Sequence, residues 1–217
     1  MEARGIIWLA DISGYTEFLT RTEIDHANMV MMNLFSAMLD EAPLRLKVVE
    51  VEGDALFCWI PFQETPPSME ELFGLVNHQF QRFVGVQRWF VEAFGCPKRC
   101  DCQVCQSLVK LRLKFVLHKG QVGVYRIRDF EKIVGVDVVV AHRLLKNRVA
   151  EPEYVLVTEE LLAELGGGVQ PAHWREGEDL YPVLGRIPYR YHPLVRPESP
   201  PLVEPSLIRG AGQSGGA

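Results

Sequence analysis

Ile6 to Ala10 is an unbroken apolar run that stops on Asp11 and passes through Ile12 into Ser13-Gly14-Tyr15-Thr16. A short run of that kind, closed by turn residues and followed by helix-compatible sequence, predicts a buried strand that turns into a helix. A second apolar run, Ala55 to Ile60, is entered through Gly53-Asp54 and preceded by Val48 to Val51, the pattern of a hairpin with a tight turn. If that hairpin lies beside the first strand, Asp11 and Asp54 converge on one spot. Two carboxylates at one spot repel unless a cation sits between them or one keeps its proton. Taken singly, Asp11 is a helix N-cap and Asp54 a turn residue. Taken together, with buried strands leading to both, they predict a divalent cation, and a helix start beside them suits the anionic oxygens of a phosphate.

A chain of 217 residues with 47% hydrophobic content can fill one sizeable core, so residues 1–192 are expected to form one domain. The formal charge of -5 argues against nucleic acid or an anionic membrane surface as a partner. No apolar run approaches the roughly 18 residues of a spanning helix, and a soluble, cytoplasmic protein is the expectation.

Between and beyond the two aspartates, the pattern alternates helix and strand. Met29, Val30, Met32, Leu34, Phe35, Met38 and Leu39 recur at helical spacing until Pro43. Ser68-Met69-Glu70-Glu71 is a capping box that opens a long helix with Leu72, Phe73, Val76, Phe80, Phe83, Val84, Phe90, Val91 and Phe94 on its buried face. Cys96, Cys100, Cys102 and Cys105 then crowd a loop at 95–107. In a reducing compartment such clustering favours a structural zinc; incidental bridges or free thiols, and an iron–sulfur cluster, are the other readings. Cys58 reads as a core thiol. Leu108 to Leu117 alternates as a strand with one wetter face, which His118-Lys119-Gly120 is expected to turn back into a partner strand, Val122 to Ile127. His118 is read as a hydrogen-bonded structural residue. A helix from Gly135, a short strand around Leu156, a short helix from Thr158 and closing strands between Tyr181 and Tyr191 follow. Residues 193–217 are rich in proline, then glycine, and are expected to be a disordered tail. This order fits an α+β sandwich of a mostly antiparallel sheet with helices packed on it.

Ala10-Asp11-Ile12-Ser13-Gly14-Tyr15-Thr16 resembles the first metal motif of the class III nucleotidyl cyclases, the adenylate and guanylate cyclases, and Glu52-Gly53-Asp54-Ala55-Leu56 resembles their second. Phe115 to Gly120 is similar to their strand ending in His-x-Gly, and Gly135 to Leu144 to the helix carrying their transition-state arginine, here Arg143. With a cysteine cluster before that strand, the chain is most similar to a divergent, uncharacterised bacterial branch. The resemblance implies a ferredoxin-like core and a head-to-tail homodimer, in which the metal aspartates of one chain face Arg143 of the other. It implies attack of a ribose 3′-oxygen on the α-phosphorus of a nucleoside triphosphate, expelling pyrophosphate, at two Mg²⁺ or Mn²⁺ ions about 3.5–4 Å apart. Asp11, Asp54 and the Ile12 carbonyl would hold metal, and the amides of Ser13, Gly14, Tyr15 and Thr16 the terminal phosphates. Arg143 would neutralise charge at the α-phosphate.

Glu50 stands where guanylate-specific members have glutamate, and Lys132 lies near the other base-reading position. A carboxylate accepts from guanine N1–H and N2–H₂ and an ammonium donates to O6, so GTP is expected over ATP. The chain departs from the pattern at Val139, where the family has a ribose-orienting asparagine, and around Leu184, where Arg186 is the substitute for a triphosphate-binding lysine. Each lost donor costs about 10²–10³ in rate. A non-catalytic regulatory or scaffolding module with the same fold, and a metal or redox sensor built on the cysteine loop, are the competing expectations.

Overall fold

The computed structural model describes residues 2–62, 65–93, 107–128, 130–166 and 173–206. The cysteine cluster, Cys96, Cys100, Cys102 and Cys105, lies outside the described residues, as do 207–217. The chain divides into two compact units, one of residues 1–11, 44–73 and 114–194, the other of 12–43, 74–113 and 195–217.

The first unit is built on a sheet of β1 (Glu2–Ser13), β2 (Lys47–Glu52), β3 (Ala55–Pro61), β4 (Arg112–Ile127), β5 (Phe130–Val134), β6 (Tyr154–Thr158), β7 (Arg175–Tyr181) and β8 (Gly185–Pro193). Its strand order is β2-β3-β1-β4-β6-β8-β7, with β5 paired to β4. β1 and β3, β2 and β3, β4 and β5, β6 and β8, and β7 and β8 pair antiparallel, while β4 and β6 run parallel. Helices α4 (Val136–Leu144) and α5 (Glu159–Glu164) belong to this unit. The result is the expected α+β, ferredoxin-like sandwich.

Strand alternation decides what each face carries. Every residue from Ile6 to Ala10 is fully buried, so both faces of β1 are covered. Ile7 and Leu9 join Phe57, Trp59, Val116, Leu156 and the α4 residues Val140, Ala141 and Leu144 in one apolar cluster. Trp8 points the other way and meets Phe115 edge-to-face, with centroids 5.8 Å apart. Cys58 is a fully buried thiol whose pKa burial pushes up to about 12, which fits its reading as a core residue. The capping box is formed: the Glu71 amide donates to Ser68 Oγ and the Ser68 amide to Glu71 Oε2.

Two expectations about β4 are corrected. His118-Lys119-Gly120 is no turn; β4 runs through it to Ile127 and the chain reverses after Arg128, which takes a positive φ of 53°. Gly120 is there for close approach, since a Cβ on it would sit 2.9 Å from the Trp59 ring and 3.0 Å from Ile7. The wetter face is kept only at the start of the strand, where Arg112 and Lys114 are half-buried between fully buried Leu113 and Phe115, and it ends at Val116, which is fully buried. His118 is structural in one respect, its Nδ1 lying 2.9 Å from Thr158 Oγ1.

The second unit holds α1 (Tyr15–Thr20), α2 (Ile24–Leu39) and most of α3 (Met69–Ala93). Residues 21–23 separate α1 from α2. Arg82 Nε of α3 donates to the Ala37 carbonyl at 2.6 Å and His78 Nε2 lies 2.8 Å from the Asp40 carbonyl, so α3 meets the open C-terminal end of α2. Gln87, buried in α3, donates to the carbonyls of Leu108 and Leu111, and Arg196 donates in turn to Gln87 Oε1. Val203 packs on Gly85 so closely that a Cβ there would meet it at 2.5 Å. Residues 195–206 therefore run as a strap along α3, where the sequence suggested the start of a disordered tail. No helix among the described residues is long and apolar enough to cross a membrane.

Gly120→Ala should destabilise the protein by about 1–3 kcal/mol, the usual cost of an overpacked core. Denaturant unfolding checks this, with a lower midpoint at unchanged slope as the expected result.

Candidate functional site

The site arises because the α4-covered face of the sheet turns from apolar to charged at one end. On β1 that face reads Ile7, Leu9, Asp11; on β4 it reads Val116, then Lys114. Neighbouring strands thus bring an acid and a base together where the cluster stops. Asp11 pairs with Ala55 in register, so Asp54, one residue earlier in the Gly53-Asp54 turn, arrives at the same end. Gly53 supplies the turn's positive φ of 62°.

Lys114 is the centre of this arrangement. Its Nζ lies 3.0 Å from Asp11 Oδ2 and donates to the Leu145 carbonyl at 2.9 Å, just past the end of α4. Asp54 has its carboxyl pushed above the ordinary range, first by burial and next by the negative charge of Asp11. Its own backbone amide and Lys114 pull the other way. One ammonium thus offsets only part of the repulsion between two carboxylates.

Asp11, Asp54 and Lys114 line a cavity of about 670 Å³, within the range of small-molecule sites. Glu52 adds a third acid to the wall, and α4 with the residue pair after it contributes Val139, His142, Arg143 and Lys146. His142 sits edge-on to Phe57, with Nδ1 3.7 Å from Glu52 Oε2. The C-terminal end of α4 is fixed from several sides: Tyr181 Oη donates to the Arg143 carbonyl, Asn147 Nδ2 to that of Leu144, and Lys114 to that of Leu145.

The residues fit a hard divalent cation. Two carboxylates with one raised pKa gain from added positive charge, and oxygen donors suit Mg²⁺ or Mn²⁺, which keep waters and take phosphate oxygens for their remaining positions. Among the described residues no group of three or more His, Cys, Asp or Glu side chains is gathered as a complete cation cage. A pair of acids that depends on a ligand's phosphates to complete the shell is consistent with that.

The other expected residues divide. Arg143 lines the same cavity as the acids of its own chain, although the resemblance placed it opposite those of a partner. Glu50 and Lys132 form an ion pair across 82 positions of sequence, each about a third exposed. Arg186 does not reach the cavity; it pairs with Glu178 at 3.1 Å on the β7–β8 hairpin. Ile12, Ser13, Gly14, Tyr15 and Thr16 belong to the second unit, where Ile12 is buried and Gly14, at φ 90°, precedes α1. Sequence reasoning missed Glu52, Lys114, His142 and Lys146. Lys114 had a signal, since a lysine two positions from a buried valine shares its face; the others reach the site only through the fold.

Residues 31–154 match the family described as "Protein of unknown function (DUF2652)". The chain belongs to this family. The matched span includes Asp54, Lys114 and Arg143 but begins after Asp11. An uncharacterized protein of Mycobacterium tuberculosis, Rv2561/Rv2562, is 28% identical over 180 residues, covering 80% of this chain and 77% of that protein. Among solved structures, the guanylyl cyclase Cya2 superposes with a TM-score of 0.66 at 12% identity, covering 94% of this chain and 98% of the other. The adenylyl cyclase CyaB from P. aeruginosa gives 0.61 at 13% identity, covering 91% and 97%. The guanylate cyclase domain of RhGC from Catenaria anguillulae, solved with GTP, gives 0.56 at 16% identity, covering 88% and 97%. At these identities the likeness establishes a cyclase-like fold.

The raised Asp54 pKa has a definite sign. In metal-free protein, the stability this carboxyl contributes is fully present below its unfolded pKa and is lost as pH rises through the higher folded one. Asp54→Asn should therefore melt at a higher temperature than the parent at pH 7 without metal, and should lose any stabilisation by Mn²⁺. Thermal melts with and without Mn²⁺ read both effects.

Proposed function

We propose that this chain is a divergent nucleotidyl cyclase-like protein that binds a metal–nucleoside triphosphate in the cavity bounded by Asp11, Asp54 and Arg143. The observation that carries the reading is that two carboxylates, Asp11 at a strand end and Asp54 in the β2–β3 turn, line one cavity, under-compensated by Lys114, with Arg143 at the end of α4 and Lys146 just past it on the same wall. Asp11 and Asp54 would hold Mg²⁺ or Mn²⁺. Bound there, the ion would polarise phosphoryl oxygens as a Lewis acid. Arg143 would place a delocalised positive charge against the α-phosphate, where charge develops when the 3′-oxygen attacks.

Val139 sets the limit on turnover. It lines the cavity and is half exposed, presenting two methyl groups where the resembled family presents a ribose-binding amide. The residues therefore support binding more fully than cyclisation, which keeps a non-catalytic nucleotide sensor as the second reading. For the base, Glu50 lies on the same side of β2 as the cavity-lining Glu52 and beside Lys132. An acceptor and a donor side by side match the N1–H, N2–H₂ and O6 edge of guanine, so GTP is the proposed ligand. A homodimer is proposed as the working assembly, supported by exposed Tyr125, Ile127, Val134 and Val136 around the β4–β5 hairpin and the start of α4.

Pure protein should bind GTP in the presence of Mn²⁺ by titration calorimetry, and Asp11→Asn with Asp54→Asn should abolish it. Absence of binding in the parent chain overturns the proposal. Val139→Asn should raise cyclic GMP formation by about 10²-fold, the worth of one placed donor, as read by chromatography of the reaction products. Glu50→Gln should narrow the preference for GTP over ATP in competition binding.

A further inference from the structure

β7 ends with its burial pattern inverted. Leu180 is 70% exposed while Asp179 beside it is only 4% exposed, although a slip of one residue would hide the leucine and free the carboxylate. The register is held by Gly177, which lies against the Tyr189 ring so closely that a Cβ would meet it at 2.4 Å. Asp179 and Tyr181, two positions apart, therefore share one face of the strand.

Both reach the chain at and just past the end of α4. Asp179 Oδ2 accepts from the Tyr189 hydroxyl at 3.0 Å and from the Arg148 amide at 3.4 Å, and its Oδ1 stands 3.3 Å from Arg148 Nε. Burial first, and then Asp179, push the pKa of the Tyr189 hydroxyl up, so it keeps its proton and donates. Tyr181 Oη donates to the Arg143 carbonyl at 2.9 Å. Residues 143–148 are thus gripped at both ends by one strand, and the span holds Arg143 and Lys146, which line the cavity.

A plainer account is that an inward charge on an edge strand guards it against pairing with another chain. β7 is at the edge of the sheet, but Arg175, Glu176 and Glu178 already stand exposed along it. Nor is a carboxylate the stable choice for this place, since well-packed apolar residues often replace a buried ionic group at no cost. What Asp179 provides and a leucine would not is a fixed backbone pose for the segment that follows α4.

Resting on the reading that the cavity takes a metal–nucleoside triphosphate, we infer that Asp179 and Tyr181 are positioning residues, which set the backbone of residues 143–148 so that Arg143 and Lys146 present their charges to the phosphates. Neither is among the residues that line the cavity, so both act through the segment they hold. Their role is the same whether the acids that complete the site belong to this chain or to a partner.

A double-mutant cycle with Arg143 tests this. Asp179→Leu with Tyr189→Phe replaces the buried carboxylate and its hydroxyl partner by apolar groups and releases the Arg148 amide. Folding is checked by circular dichroism and thermal melting, and binding is titrated with Mn²⁺ and N-methylanthraniloyl-GTP. The variant should melt near the parent yet bind the probe about tenfold more weakly, the worth of misplaced charged hydrogen bonds. Asp179→Asn, which keeps an oxygen acceptor at the same place, should recover most of that loss. In a chain already carrying Arg143→Ala, the leucine and phenylalanine changes should cost little more, because the group they position is gone. Parent-like binding by the leucine variant overturns the inference and leaves the wider reading intact, as does a loss that is the same with and without Arg143. Where Arg143→Ala binds too weakly to complete the cycle, amide hydrogen exchange decides. Faster exchange at residues 145–149 alongside the weaker binding supports the positioning role, and unchanged exchange there overturns it. Should the leucine variant not fold, Tyr181→Phe, which removes one hydroxyl from a half-buried ring, takes its place in the same measurements. Absence of probe binding by the parent overturns the wider reading itself.

Discussion

The bridge made by Lys114 between Asp11 and the Leu145 carbonyl is the interaction on which the site depends. It joins the end of β1 to the end of α4, and it does so from a nearly buried side chain, where a charge needs partners to be tolerated at all. Without it, two carboxylates would crowd the sheet end uncompensated and α4 would lose one of the donors that fix its last turn. With it, the acids are held together yet remain short of positive charge, which is the condition under which a cation is worth binding.

The same bridge explains why the cavity lies where it does. α4 covers the sheet face only along the stripe of Ile7, Leu9, Val116 and Leu156. At its last buried residue, Leu144, the core cluster gives way to a cavity that the strands line with Asp11 and Lys114, beside Val138, Val139 and Leu145. The cavity is thus the uncovered continuation of the core, with walls that are rigid because they are strand ends and a pinned helix terminus. Preorganised charge in such a place interacts more strongly than the same charge in open water.

The fold is shared with adenylyl and guanylyl cyclases, and at the cavity lined by Asp11, Asp54 and Arg143 this chain presents the aliphatic side chain of Val139. Conserving the fold does not conserve the chemistry, since a site is a set of side chains carried on a fold.

The sequence by itself determined β1, the β2–β3 hairpin, β6 and the capping box of α3, because apolar runs, period and turn residues are local properties; it missed β5 and most of β7, and it brought Asp11 to Asp54 only on the condition that the hairpin pairs beside β1. It misplaced the turn after Leu117, since a glycine needed for contact with Trp59 and Ile7 looks in one dimension like a glycine needed for a turn. It also gave no sign that residues 195–206 lie along α3, because Gly85 and Arg196, which admit and anchor that strap, are distant in sequence from what they touch. Only the tertiary structure brought Glu52, Lys114, His142 and Lys146 to the acids and set Arg143 on their wall, while leaving Arg186 outside it. Register between strands and the reach of a helix end are long-range quantities, fixed by which faces bury together rather than by any stretch of the chain alone.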